Sequence, residues 1–364
     1  MATGLKDIAD QLGLSVATVS KALSDAGDIS AGTKDRVWAA AESLNYTPNL
    51  AARGLRSRRS RFCGLIVDNV SHEFGGLLVR GVQDELLRCG FQTLLINADR
   101  SPEEEAAGIT TLLERSVDGL ILADTWLHES DALPPEAARI PTVFINRRVK
   151  VSGANWVGPD DVYGGYQATE HLIGHGHRRV AYIGGLEGWV ATDERRRGYE
   201  LALGDHGVAV EPALIEQGDW YPESACAAAL RLLDLPEPPT AVFVANDRMA
   251  SGVLEAARQR RTPVPEGLAV VGYDGREFGR YLTPRLTTVA LPLYQMGVSA
   301  AAMVVDQILR PRPEARTAAV RGHLVYRASC GRHSLTAEAP EDRRPVPRPA
   351  AGDGEPPRPA AVAP

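Results

Sequence analysis

The sequence predicts a small three-helix head joined by a short linker to a larger α/β body of two doubly wound subdomains. Three observations carry this. Apolar residues recur at helical spacing in short runs near the N-terminus, strand-like apolar runs alternate twice with helical patterns from residue 62 onward, and charge divides at the same place. Residues 1–61 hold nine Lys or Arg against six Asp or Glu, a net +3, while the 364-residue chain stands at -6, so the remainder carries -9. A basic head on an acidic body points to a polyanionic partner for the head alone.

In the head, Leu5, Ile8, Ala9 and Leu12 line one side of a first helix, and Gly13 interrupts it. Ser15 then stands where an N-cap would start a second helix, with Thr18 at its third position. On that second helix Val19, Ala22 and Leu23 fall on one side, and Val16, Ala17, Ser20 and Lys21 on the other. The first set can bury and the second is free to touch something, as a helix-turn-helix requires when it enters a major groove. Periodicity alone leans towards an ordinary amphipathic hairpin, because the outer face carries a single charge. Ser30 caps a third helix over 31–44, whose Val37, Ala40, Ala41 and Leu44 close a small core.

Residues 48–61 form the linker. Asn49 can cap a short helix running to Leu55, but a helix this short is marginal alone and Gly54 weakens it further. In the body, 62–67, 91–97, 117–123, 141–146 and 155–159 read as buried parallel strands, with helices over 77–87 and 102–115. A second series follows, with strands at 179–185, near 215, at 241–247 and at 268–274, and helices over 162–174, 195–206, 225–233 and 248–259. Residues 286–289 read as a crossover, 295–309 as a helix and 323–326 as a last strand. From 336 the chain is rich in Pro, Ala, Arg and Glu and reads as disordered. The expected division is 1–47, 48–61, 62–335 and 336–364. Subdomain one takes 62–160 and 290–322, and subdomain two takes 161–289 and 323–335.

Several classes are excluded. No apolar run reaches membrane-spanning length and no basic segment precedes an apolar stretch, so a cytoplasmic protein with no membrane partner is expected. The four cysteines are scattered and read as reduced thiols. There is no nucleophile elbow, phosphate loop or dinucleotide fingerprint, so no catalytic residue and no cofactor is expected. His171, His175 and His177 have spacing that could mimic metal ligands, yet a helix-to-strand join explains them more simply, and no metal is assigned.

In open α/β sheets ligands bind beyond the carboxyl ends of strands. That places Asp68, Asn69, Ser71, Asp99, Asp124, Asn146, Arg147, Asn246, Asp247 and Asp274 as candidates.

The runs LKDIA and GLSVATVSKAL, followed by Asn45, Tyr46, Pro48, Asn49, Ala52, Arg53 and Leu55, resemble the LacI/GalR family of bacterial transcription regulators. The resemblance continues almost to the end of the chain. It implies a periplasmic-binding-protein-like effector core, a homodimer, a pseudo-palindromic double-stranded DNA operator and a small effector such as a sugar. In the head it implies that Ser15, Thr18 and Ser20 meet phosphates while Val16, Ala17 and Lys21 face base edges. Asn49, Ala52, Arg53 and Leu55 would lie in paired hinge helices in the minor groove, with Leu55 as the wedge.

For the effector the resemblance implies Arg195 in the segment 193–199, Asn246 in Ala245-Asn246-Asp247, Asp274 in Val271-Gly272-Tyr273-Asp274, and Trp220. Asn69, Ser71, Phe74 and Arg147 complete the set. A guanidinium fork and a carboxylate facing adjacent hydroxyls suit a sugar. Structural roles stay open: Asp247 and Asp274 as helix caps, Arg195 in a surface ion pair, Trp220 in the core. Gly75 stands where the family carries a second aromatic, which enlarges the cleft, Gly275 replaces a common acid, and Gly4 replaces a capping threonine that Thr3 could cover. The tail lacks apolar heptads, so a dimer is expected over a tetramer. A corepressor-type regulator for a purine or other metabolite, a solute-binding protein and a sugar-processing enzyme are the alternatives.

Overall fold

A chain that alternates buried apolar runs with amphipathic ones must cover each sheet on both faces, and this one does so twice. The computed structural model describes residues 4–24, 26–44, 46, 59–70, 73–125, 137–148 and 155–331. Contacts divide the chain between Arg61 and Phe62 into two units.

The first unit contains α1 (Leu5–Leu12), α2 (Val16–Leu23) and α3 (Ala31–Ser43). Gly13 takes φ 64 at the turn, where a side chain would be strained. The Ser15 hydroxyl accepts the Thr18 N–H at 3.0 Å to start α2, and Ser30 accepts the Thr33 N–H at 3.3 Å to start α3. At α1 the Asp7 carboxylate accepts the Gly4 N–H at 2.7 Å, and Gly4 has no side chain to return the bond; Thr3 lies outside the described residues. Ile8, Ala9, Val19, Ala22, Leu23, Val37, Ala40 and Ala41 form the core, with Leu44 half-buried against it. Each fully buried side chain of the size of Val19 contributes about 1.5–3 kcal/mol.

The second unit holds two six-stranded sheets. The first is built from β1 (Phe62–Val67), β2 (Gln92–Asn97), β3 (Gly119–Ala123), β4 (Thr142–Ile145) and β5 (Asn155–Pro159), with α4 (Glu73–Arg88) and α5 (Pro102–Glu114) between strands. The second is built from β6 (Val180–Gly184), β7 (Ile215–Gln217), β8 (Ala241–Val244), β9 (Ala269–Asp274) and β10 (Thr287–Ala290). Its helices are α6 (Asp161–Gly174), α7 (Val190–Asp205), α8 (Pro222–Leu233) and α9 (Asp247–Arg260). The chain then returns through α10 (Leu293–Leu309) and adds β11 (Thr317–Val320) to the first sheet and β12 (His323–Val325) to the second. The orders are β11-β5-β4-β3-β1-β2 and β12-β10-β9-β8-β6-β7. Among the described residues all pairings are parallel except β10 with β12.

Two expectations are corrected. Residues 286–289 are no crossover: Thr287–Ala290 is a strand, paired in parallel with β9, and both threonines are fully buried. Their hydroxyls made the run look like a link, but each is spent internally, Thr288 on Asp247 and Thr287 on the Arg327 N–H. β11 had no counterpart in the sequence reading, because an edge strand of four residues with alternating exposure lacks a continuous apolar run.

The helices of each layer approach closely. A Cβ on Gly165 would stand 2.3 Å from the Arg195 carbonyl oxygen, and one on Gly198 2.2 Å from that of Val162, so α6 and α7 touch backbone to backbone. Among the described residues no helix is long and apolar enough to cross a membrane, and no group of three metal-ligating side chains is placed to hold an ion. His171 stands 3.2 Å from the Cys330 sulfur, while His177 bonds the Thr240 hydroxyl at 2.9 Å.

Candidate functional site

The carboxyl ends of both sheets face one cavity of about 620 Å³. At its edges the backbone turns sharply. Arg100, Asp124, Asn146, Trp220 and Asp274, which line it, all have positive φ, between 55 and 103; Asp99 has φ 47 but does not line the cavity and accepts from the Asn69 amide at 2.6 Å. Asp and Asn tolerate this region, whereas a tryptophan there is strained by about 1–3 kcal/mol. Such strain persists only where the surroundings fix it, and it gathers at ligand clamps.

Arg195, on the first turns of α7, donates its Nε–H to Asp161 at 2.8 Å and an Nη1–H to the Ala245 carbonyl at 2.6 Å. Its guanidinium carbon lies 3.9 Å from the centroid of the Tyr273 ring. The pair is buried, with 5% and 7% of the two side chains exposed, so the surface ion-pair alternative falls. Burial works against the charge of Arg195, but Asp161 beside it holds the guanidinium protonated well above the usual range; burial likewise pushes the Asp161 carboxyl up.

Asp274 ends β9 and accepts from Arg276 Nε at 3.2 Å. Asn246, not Asp247 or Asp274, caps α9: its side-chain oxygen accepts the Met249 N–H at 2.7 Å, and its amide reaches the Trp220 carbonyl at 3.4 Å. Asp247 is fully buried behind the cavity wall, where it accepts from the Thr288 hydroxyl and the Arg276 N–H, both at 2.6 Å. Burial pushes its carboxyl up to about 7, and burial pushes Asp124, which accepts from the Asn146 amide, up to about 6. Trp220 is not core. It is half-buried, its indole lies against Gly185, where a Cβ would meet the ring at 2.2 Å, and it lines the cavity.

Asn69, Arg147, Arg195, Trp220, Asn246 and Asp274 thus come together on one cavity. Ser71 lies outside the described residues, and Phe74 falls in α4 with its side chain outside them. Gly75, the position that lacks the second aromatic, is part of the wall. Gly275 has φ 76 and its Cβ would sit 2.6 Å from that of Ala290, so an acid does not fit there.

Sequence reasoning missed Asp161, Trp189, Glu194 and Arg148. Arg147 stacks on Trp189 at 4.3 Å, and Arg148 donates to Glu194 at 3.0 Å while lying 4.3 Å from the Trp156 ring. The contacts of Arg147 with Trp189 and of Arg148 with Glu194 join the end of the first sheet to α7 or the turn before it. The only signal was the run Arg147-Arg148 beside a strand end.

In the head, Val16 is 45% exposed, Ala17 and Lys21 are exposed, and Thr18 and Ser20 are half-buried. Thr18 is bonded to Ser15 through its hydroxyl at 2.8 Å. Lys21 pairs with Asp28, a contact that the sequence did not indicate and that lowers the Asp28 carboxyl; it is exposed on both sides and so contributes little. Asn49, Ala52, Arg53 and Leu55 lie outside the described residues.

Comparison with known proteins follows the same division. Residues 4–49 match the bacterial regulatory proteins of the lacI family, and residues 169–330 match a periplasmic binding protein-like domain. The chain is 33% identical over 300 residues to the HTH-type transcriptional regulator DegA of Bacillus subtilis (strain 168), covering 82% of this chain and 89% of that protein. It is 31% identical over 307 residues to the HTH-type transcriptional repressor CytR of Escherichia coli (strain K12), covering 84% and 90%. Among solved structures it is similar to the transcriptional regulator CelR–cellobiose complex, with a TM-score of 0.68 and 33% identity over 90% of this chain and 99% of that one. It is also similar to the lac repressor dimer bound to operator and the anti-inducer ONPF, with a TM-score of 0.79 and 25% identity over 91% and 100%.

Proposed function

This chain belongs to the lacI family of bacterial regulatory proteins, and we propose that it is a cytoplasmic, homodimeric repressor of carbohydrate-utilisation genes, released from a pseudo-palindromic operator by a sugar-like effector. Like its family it is a transcription regulator and not an enzyme. The exposed outer face of α2, with Val16, Ala17 and Lys21, reads base edges, while Ser15, Thr18 and Ser20 hold phosphates.

One observation carries the effector reading. The buried fork of Arg195, locked by Asp161 and Ala245, lines the same cavity as Asp274 and the Trp220 indole. Fixed donors and an acceptor beside an aromatic plate hold a polyol without reorganising. Arg147 with Trp189 and Arg148 with Glu194 bridge the two subdomains across this cavity, so a ligand seated there favours one arrangement of them over another. That difference in affinity between arrangements is what shifts the population holding the operator.

The test is binding of the purified protein to DNA upstream of its own gene and its neighbours, with and without a panel of sugars and nucleobases. Release by a sugar is expected. Tightening by a nucleobase would replace this reading with a corepressor, for which the aromatic wall offers a stacking surface. Absence of specific DNA binding in every condition would overturn both.

A further inference from the structure

All but one of the carboxylates on the wall of the cavity are already occupied. Asp161 is held by Arg195 at 2.8 Å, Asp274 by Arg276 at 3.2 Å, Glu194 by Arg148 at 3.0 Å and Asp68 by Arg100 at 3.5 Å. Asp219 accepts the Tyr221 N–H at 3.0 Å and the Ser224 hydroxyl, and Asp124 accepts from Asn146. Glu187 is exposed at the rim.

Arg248 differs from Arg100, Arg148, Arg195 and Arg276, the arginines paired with those carboxylates. No carboxylate among the described residues pairs with it, although it is only partly exposed and lines the wall. It is the second residue of α9, in the first turn, where the helix end is itself positive and a cation is disfavoured. Its guanidinium carbon lies 4.8 Å from the Tyr221 centroid. Arg100 reaches the same ring from the first subdomain, 5.4 Å from the centroid, and donates to the Tyr221 hydroxyl. The indole N–H of the adjoining Trp220 is buried and has no hydrogen-bond partner among the described residues.

We propose that the effector carries an anionic group, a carboxylate or a phosphate, that docks between Arg248 and Arg100 beside Tyr221. This rests on the reading of the cavity as the effector site and narrows its ligand to an acidic or phosphorylated sugar. Guanidinium forks match the planar and tetrahedral oxyanions in geometry as well as charge, and the start of α9 adds its own positive end. The unpaired cation then has its counterion in the ligand. Arg100 and Arg248 come from different subdomains, so an anion between them is held best when the halves are together. The group that supplies affinity therefore also supplies the bias between states.

The test needs no knowledge of the sugar. Inorganic phosphate and acetate are titrated separately into the full-length protein and read by the fluorescence of the cleft tryptophans. Saturable binding is expected for at least one of them, weakened about tenfold in Arg248→Met, partly restored in Arg248→Lys, and weakened again in Arg100→Met. Tighter phosphate than acetate assigns a phosphorylated ligand, and the reverse assigns an acid. No saturable binding of either anion up to about 50 mM, or binding that Arg248→Met leaves unchanged, overturns the proposal. The effector reading fails separately. It falls if the sugar and nucleobase panel never moves the DNA-binding curve, whereas a neutral sugar that moves the curve with no response to anions leaves it standing and overturns this proposal alone.

Discussion

The Arg195 Nε–H meets the Asp161 carboxylate at 2.8 Å inside the protein, and the same guanidinium donates to the Ala245 carbonyl at the end of β8. One side chain thereby ties the start of α6, the first turns of α7 and a strand end into a single rigid corner of the cavity. A buried pair of this kind is weak as a source of stability but costly to break, because its partner is left charged and alone.

Arg195→Ala is therefore expected to lose the effector response while retaining operator binding, and to lower the stability of the body by about 3–5 kcal/mol. Arg195→Lys does not rescue it, since an ammonium cannot reproduce two divergent bonds from one plane. Thermal denaturation and operator release on the same preparations check both parts. An Arg195→Ala protein that still responds at the same ligand concentration would remove this residue from the site.

What could be read from the chain and what could not has a physical division. Buried strands such as Phe62–Val67 and Ala269–Asp274 announce themselves because both faces are covered and, apart from the terminal Asp274, the run carries no charge. The cap Ser15 and the faces of α2 were legible for the same local reason. Arg195 and Asp274 stood out through their segments and their place at strand ends. Asp161 did not, because its role depends on a backbone contact between α6 and α7 that no local pattern encodes. The Arg148–Glu194 and Arg100–Tyr221 contacts join residues 46 and 121 positions apart, brought together only when the two sheets face each other. β10 was hidden by its threonines, whose buried hydroxyls are satisfied by partners 40 or more positions away.

Burial raises the carboxyl of Asp124 from 3.8 to about 6. A group bound more tightly to its proton in the folded state supplies stability that is complete below the unfolded value and lost as pH rises through the folded one. The displacement corresponds to about 3 kcal/mol between pH 4 and pH 7. Asp124→Asn should thus gain stability relative to the parent as pH rises across this window. Denaturant titrations of both proteins at several pH values measure the difference, and a difference independent of pH would show that Asp124 does not titrate there.

Leu55 falls in the linker, outside the described residues. An apolar wedge between base pairs unstacks one step in return for a kinked duplex that makes further contacts. Leu55→Ala is expected to weaken specific operator binding by about 100-fold or more while leaving weak, salt-sensitive binding to unrelated DNA in place. Titrations against operator and scrambled DNA at two salt concentrations distinguish these, and unchanged specific affinity rules out the wedge.

The corner around Arg195 also depends on a residue with no side chain. A Cβ on Gly165 would stand 2.3 Å from the Arg195 carbonyl oxygen, so Gly165→Ala must push α7 away from α6 and draw Arg195 off Asp161. Overpacking of this kind costs about 1–3 kcal/mol. Gly81→Ala is the matched comparison, since its Cβ would meet the Tyr294 carbonyl oxygen at 2.1 Å between α4 and α10, in the other subdomain. Both variants should lose similar stability, but Gly165→Ala alone should weaken the effector response at temperatures where both remain folded. Equal effector responses in the two would mean that the contact between α6 and α7 supports the fold without setting the position of the guanidinium.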